Sequence, residues 1–333
     1  MAETTIGWTV TVLADGTILP GYTFNPWIGC TKVSAGCGFC YAEAQDRFRN
    51  WTPEGWGPGR PRRRTNKLYW ENPLVWNQGA RNKGVRLKVF CASLADWLDH
   101  EVPIEWLADL LDLIRRTPHL DWLLLTKRPE NFKERMLAAL RHNENNGGSE
   151  ELHAWLLDWV TGTPPSNVWI GTTVENQEMA DKRIPELLDI PAKVHFLSCE
   201  PMLGHVTISN FVESEILAYA GSSPEFDCWQ PHPSKKWVIC GGASGTQEQP
   251  FCVEFADDLR RQCKASGVPF FMKQMGSNPV TSNANLYDWP DHVEFIDYSS
   301  FAASAKIHLR HRKGEDINEW PEEFQVREFP AVA

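Results

Sequence analysis

Short apolar runs bounded by polar or turn residues recur along the chain: KVFCAS at 88–93, WLLLT at 122–126, VWIGTTV at 168–174, VHFLS at 194–198, WVICGG at 237–242 and PFFMK at 269–273. Runs this short, apolar at nearly every position, have the pattern of strands buried on both faces. Between them, in IEWLADLLDLIRR, PENFKERMLAALRH, ADKRIPELL and CVEFADDLRRQCKA, apolar residues return every three or four positions, which predicts amphipathic helices. Strand and helix alternating in this way imply a parallel sheet wrapped by helices through right-handed crossovers. A further strand is expected around residues 19–25, bringing the count to seven. The fold class is α/β, either a partial or irregular βα barrel or an open doubly wound sheet. In both, reactive groups gather at the carboxyl ends of the strands.

NENNGGS at 143–149 reads as a surface turn, and 204–235, with Gly221, Ser222, Ser223 and Pro224, as an insertion or lid. After Gly276 the pattern weakens. The expectation is one domain over residues 1–276 and an irregular extension over 277–333 packed on it.

Composition narrows the function classes. A net charge of −10 argues against nonspecific coating of nucleic acid, because phosphate affinity comes mainly from accumulated Lys and Arg. Basic residues are nevertheless clustered: RPRRRTNK, from Arg60 to Lys67, holds five and no acid, and Lys83, Arg86 and Lys88 follow. Among 16 tryptophans, Trp106, Trp155 and Trp159 fall at helical spacing among leucines and read as core. Trp51, Trp56, Trp70 and Trp76 interleave with the basic run, over 50–84, and such a mixture is what single-stranded or flipped bases need. The competing reading is a solvated loop. No stretch approaches the roughly 20 apolar residues of a membrane span. The start, MAETTIGWTV, lacks the charge and apolar core of a leader, so a cytoplasmic location is expected.

Three cysteines, Cys30, Cys37 and Cys40 in GCTKVSAGCGFCYAE, form the one compact cluster among nine. An odd total with this spread is no disulfide framework, and most of the other cysteines read as small buried hydrophobes. Thiolates select zinc, copper(I) and iron–sulfur clusters. A structural zinc ion would recruit a fourth ligand from a distant His or Cys, and spacing alone leaves that as open as a cluster.

Polar residues also recur at the strand ends: Ser93 and Asp96; Thr126, Lys127 and Arg128; Thr173, Glu175 and Asn176; Ser198 and Glu200; Gly241, Gly242 and Ser244. Ser93, Asp96 and Asn176 are equally good helix caps. Lys127, Arg128 and Glu200 are candidates for substrate contact or proton transfer, the alternative being an ion-pair network at the barrel mouth. Lys273 and Gln274 would complete the pocket. Cys199 is a candidate hydrogen-atom donor, against the reading of an inert buried thiol.

Around the third cysteine, Cys-Gly-Phe-Cys-Tyr-Ala-Glu resembles radical S-adenosylmethionine (SAM) enzymes, whose cluster loop ends Cys-x-aromatic-Cys between a strand and a helix. There, three cysteines hold three irons of a 4Fe-4S cluster, and the fourth iron takes SAM. The six residues between Cys30 and Cys37 depart from the commonest spacing of three. A narrower group, the radical-SAM-like proteins of phages and mobile elements, is similar over nearly the whole chain, through FNPWIGCTKVSAGCGFCYAE, KVFCASLADWLD, LLLTKRPENF, NVWIGTTVENQEMADKRIPELL, FLSCEPML, WVICGGASG, PFFMKQMG and EWPEEFQVREFP. The resemblance implies a partial barrel with the cluster loop at 26–43, a 4Fe-4S cluster on Cys30, Cys37 and Cys40, and SAM. It implies Arg183 for the SAM carboxylate, Glu175 or Asn176 for the ribose, Gly241 and Gly242 against the adenine, and Ser93, Thr173 and Ser198 in the same pocket. One electron from an external donor would release a 5′-deoxyadenosyl radical that modifies or repairs a substrate, expected to be a nucleobase or modified nucleotide in phage or host DNA. The alternatives are a zinc-binding, non-enzymatic nucleic-acid protein and a phage interaction protein that kept an enzyme fold.

Overall fold

The computed structural model describes residues 3–38, 40–213, 234–244, 249–300 and 303–331. Seven parallel strands form its main sheet: β1 (Tyr22–Thr23), β2 (Leu87–Cys91), β3 (Leu120–Thr126), β4 (Val168–Thr173), β5 (Val194–Cys199), β6 (Lys235–Gly241) and β7 (Phe270–Gln274). Neighbours in the sheet are also neighbours along the chain, from β1 at one edge to β7 at the other. A doubly wound sheet reverses its order at a switch point. Here the order never reverses, and the sheet curls into an α/β half-barrel, which removes the doubly wound alternative.

The longer helices among the described residues are α1 (Tyr41–Arg49), α2 (Asn72–Lys83), α3 (Ile104–Arg115), α4 (Phe132–Asn145), α5 (Glu150–Val160), α6 (Gln177–Leu188) and α7 (Val253–Ala265). Their apolar stripes cover the outer face of the sheet. Val89 and Cys91, Trp122 and Leu124, Ile170, Leu197 and Cys199, Val238 and Cys240, and Met272 belong to that outer core.

Alternate residues of the same strands turn inward. Phe90, Leu123, Trp169, Phe196, Trp237, Ile239 and Phe271 fill the concave face, joined by Trp8 from the amino-terminal segment, with Phe329 from the carboxyl-terminal one packed against them. Trp8 meets Phe90 edge-on at 4.8 Å, and Phe329 lies 5.6 Å from Trp237. Gly171 is required here, because a Cβ would stand 2.2 Å from the Phe196 ring. Lys88 shares this space: its ammonium donates to Val10 O at 2.7 Å and lies 4.9 Å from the Phe329 ring centre, and burial pulls its pKa down to about 8.

Two expectations need correction. The first strand is shorter than 19–25, because Ile18–Leu19 instead pairs antiparallel with Thr11–Val12 and the ladder to β2 holds Tyr22–Thr23, with one further bond from Phe24 N to Phe90 O. The extension after residue 276 is also more regular than expected. Pro279–Thr281 pairs with Ala303–His308, which pairs with Glu294–Ser300, and Phe251–Cys252 joins the same sheet. Beyond it, Trp320 and Phe324 enter the outer core. Gly221, Ser222, Ser223 and Pro224 of the expected lid, together with Cys228 and Phe39, lie outside the described residues. No helix among the described residues is long and apolar enough to cross a membrane.

His195 on β5 supplies a test of the buried interior. Its Nε2 lies 2.7 Å from Ile190 O and its Nδ1 2.6 Å from Ser234 Oγ, an arrangement that the neutral ring satisfies. Burial pulls its pKa from 6.5 down to about 4. The unfolded chain therefore binds the extra proton first, so stability is complete above about pH 6.5 and falls as pH drops towards 4. The expected loss is on the order of 3 kcal/mol. Denaturant midpoints measured from pH 7 to pH 4 should show this slope, and His195→Gln should flatten it.

Candidate functional site at the strand ends

The cysteine loop leaves β1 at the carboxyl end of the sheet, where a parallel half-barrel exposes its reactive rim. Asn25 ties that exit to the end of β2, its amide bonding Ser93 Oγ at 3.0 Å and Leu94 N at 2.8 Å. Trp27–Ile28 then pairs with Arg63–Arg64, which lays the basic segment beside the loop. Cys37 closes a single 3-10 turn over Ala35–Cys37, and Cys40 immediately precedes α1. All three thiols are unpaired and partly exposed.

The Cys30 arm is held by Arg128. This guanidinium donates to Asp96 Oδ2 at 2.8 Å and to Thr31 O at 2.6 Å, and its two terminal nitrogens lie 3.5 and 3.6 Å from Cys30 Sγ. Asp96 accepts in addition from Thr126 Oγ1, Lys127 N and Leu98 N, so every lone-pair direction is used. Burial pushes the Cys30 thiol up to about 12, with Asp96 adding to the rise and Arg128 opposing it. Arg128, expected as a substrate contact, is thus committed to the loop, and Asp96 is no helix cap.

The Cys37 arm rests on Glu175. Its Oε1 accepts from Gly36 N at 3.3 Å and its Oε2 from Arg183 Nη1 at 2.8 Å, while Arg183 also donates to Thr173 O. Glu175 is 0% and Arg183 2% exposed. Arg183 and Glu175, expected at a ligand's carboxylate and, for Glu175 or Asn176, at its ribose, are thus engaged with each other and with the loop. Asn176 is the N-cap of α6, accepting from Met179 N.

The inward positions of the rim carry a second group. Glu200 Oε1 stands 2.9 Å from Lys273 Nζ as an ion pair without an aligned hydrogen bond, and Ser198 Oγ is 3.5 Å from Oε2. Gly241 borders the pair, and a Cβ there would lie 2.8 Å from Glu200 Oε1. Lys127 Nζ reaches Thr173 Oγ1 at 3.2 Å and has no carboxylate at ion-pair distance among the described residues. Gly242 instead packs on the chain itself, where a Cβ would meet Met275 O at 2.3 Å, so it offers no face to an adenine. Cys199 lies opposite in parity to Ser198 and faces the helices, fully buried, its thiol raised by that burial. This placement matches the alternative reading of a buried thiol among the helices.

Two of the five basic residues in the Trp-rich segment are paired with carboxylates. Buried Arg62 pairs with Asp99 and Glu101 and donates to Thr31 Oγ1, while Arg64 pairs with Asp109 and stacks on Trp70. Trp76 is buried and stacked on Tyr22, and Trp70 packs on Phe24. Trp51 and Trp56 remain half-exposed. Arg62, Asp99, Glu101 and the Gly36–Glu175 contact were not foreseen; the signal was present in the acids of DWLDHE at 96–101, complementary to RPRRR. Among the described residues, no three of His, Cys, Asp and Glu are grouped closely enough to hold a single metal ion.

Fold and rim together define an α/β half-barrel protein with a three-thiol loop at its mouth. The family described as "Protein of unknown function (DUF5131)" matches residues 4–321, and the chain belongs to it. No curated protein and no solved structure matches the chain.

The Glu200–Lys273 pair is separable from the fold. Because both side chains keep some solvent contact, at 13% and 27%, a double-mutant cycle with Glu200→Gln and Lys273→Gln should give a coupling energy of about 1 kcal/mol. Urea denaturation at pH 7 measures it.

Proposed function

We propose that the protein is a radical-SAM-like enzyme in which Cys30, Cys37 and Cys40 hold a 4Fe-4S cluster and SAM binds at its open iron. The observation that carries this reading is three unpaired thiols on the loop that follows the first strand of a parallel half-barrel, at its carboxyl mouth. The donor set fits the group: soft sulfur ligands, and a buried guanidinium beside one of them to offset thiolate charge. When bound, a cluster and SAM supply one-electron cleavage of the sulfonium and a carbon radical able to abstract hydrogen.

The chain's own part is binding, orientation and exclusion of water. Trp8 and Phe329 close the concave face below the rim, so access is from the loop side. Lys127 offers a cation to an anionic group, held against Thr173. Glu200 and Lys273 can hold or pass a proton between Oε1 and Nζ, next to Ser198 and the space that Gly241 leaves without a side chain. A nucleobase or nucleotide substrate is the extension of this reading, supported by half-exposed Trp51 and Trp56, with Arg63 bonded to Trp51 O.

Anaerobic reconstitution tests the proposal. The expected product is brown protein with about four irons per chain that forms 5′-deoxyadenosine from SAM under reduction, with iron lost in Cys37→Ala. Colourless protein carrying one zinc would sink it and favour the non-enzymatic zinc reading. Comparing modified nucleosides in DNA from cells with and without the intact trio tests the substrate class; identical profiles would remove DNA.

A further inference from the structure

We infer that the buried pairs Asp96–Arg128 and Glu175–Arg183 are positioning elements that fasten the two arms of the thiol loop over the strand ends, and that Arg128 in addition tunes the Cys30 sulfur. The first part stands on geometry alone; the second rests on the cluster reading above.

Both pairs are built alike. Each arginine is nearly sealed, at 3% and 2% exposure, and each carboxylate likewise, at 5% and 0%. Removing two charges from water costs about as much as their attraction returns, so such a pair is a poor source of stability by itself. What each pair adds is a contact beyond its own strand. Arg128 grips Thr31 O and flanks Cys30 Sγ, on the arm that leaves β1. Glu175 accepts the Gly36 amide, on the arm that enters α1. Between these points Lys32 and Val33 are exposed. Arg62 pins Thr31 from the opposite side through Oγ1. The loop is therefore held at two points over the strand ends, and Lys32 between them pairs with Glu43 on α1 at 2.9 Å.

The Arg128 contact has a chemical consequence. Donors directed at a ligating sulfur withdraw charge from it, and hydrogen bonds to sulfur are among the factors that set the reduction potential of an iron–sulfur centre. A lysine at this position would keep the charge but lose the planar fork that reaches Asp96, Thr31 and Cys30 together.

Hydrogen exchange on the metal-free protein tests the clamps without reference to iron. Exchange of the amides between residues 29 and 38 should rise about tenfold in Glu175→Gln and in Arg128→Lys, the size set by losing one charge-assisted bond from a local opening equilibrium. Amides of 194–199 should remain protected and report an intact fold. Gly36→Ala covers the case in which Glu175→Gln does not fold, because it leaves the buried pair in place and drives a methyl to 3.1 Å from Glu175 Oε1. Wild-type exchange of the loop in Gly36→Ala and Arg128→Lys would overturn the clamp.

On reconstituted protein, Arg128→Gln should lower the midpoint potential while Gly36→Ala, which touches no sulfur, should not. Equal potentials in both would overturn the tuning role. If the wild type takes up no iron, the cluster reading and the tuning role fall together, and the exchange data still decide the clamp.

Discussion

A parallel sheet that curls without closing has to fill its own concave face, and here aromatic rings fill it from one end. Trp8, Trp169, Phe196, Trp237, Phe271 and Phe329 pack mostly edge-to-face, with interplanar angles of 67° for Trp8–Phe90, 84° for Trp169–Trp237 and 87° for Trp237–Phe271. Such contacts favour the ring quadrupoles and leave little void. Two of the rings come from outside the barrel strands, one from each terminal segment. Because they enter at the amino-terminal end, the inward positions at the other end are left to Thr173, Ser198, Glu200 and Gly241. The polar rim is thus a consequence of where the apolar filling stops.

Cations at this rim divide by type. Arg62, Arg128 and Arg183 are buried and each is paired with carboxylates on the strand-end loops. The planar fork of arginine serves several acceptors in fixed directions, which is how Arg128 reaches Asp96, Thr31 and Cys30 at once. Lys127 and Lys273 face the interior space as compact charges, each meeting a single oxygen. Lysine's charge responds to its surroundings more readily than arginine's, so the arginines suit fixed geometry and the lysines suit exchange of protons or ligands.

How much of this was legible depends on what the pattern encodes. Runs such as 122–126 and 194–198 mark Leu120–Thr126 and Val194–Cys199 to within two residues, because burial on both faces leaves a continuous apolar signature. Tyr22–Thr23 left no such trace, since a two-residue ladder has no period. The polar strand ends were legible as positions but not as directions. Ser198 and Cys199 are adjacent, yet one borders Glu200 and the other lies among the helices, and parity cannot be assigned when both neighbours are apolar. Likewise Arg128 and Arg183 read as free cations because the fold sets their surroundings: Arg128 reaches Asp96 32 residues away and Thr31 97 residues away, and Glu175, the partner of Arg183, meets Gly36 139 residues away. The basic run looked like a surface patch for the same reason, its acids lying 37 and 39 residues downstream of Arg62.

Glu200 and Lys273 differ from those deep pairs in a way that bears on function. Both keep solvent contact, so their attraction is screened and adds little to stability. Yet the space around them is specific: residue 241 must lack a side chain for the Glu200 carboxylate to lie where it does, and the hydroxyl of Ser198 closes the other side. An ion pair that is partly exposed, with reserved space and an unaligned bond, is cheaper to rearrange than a sealed one. The pairs Asp96–Arg128 and Glu175–Arg183 have no such freedom, since both members of each are almost fully buried. The inner pair and Lys127 are therefore the rim charges that can change partner at least cost, whereas the outer pairs are fixed against the thiol loop.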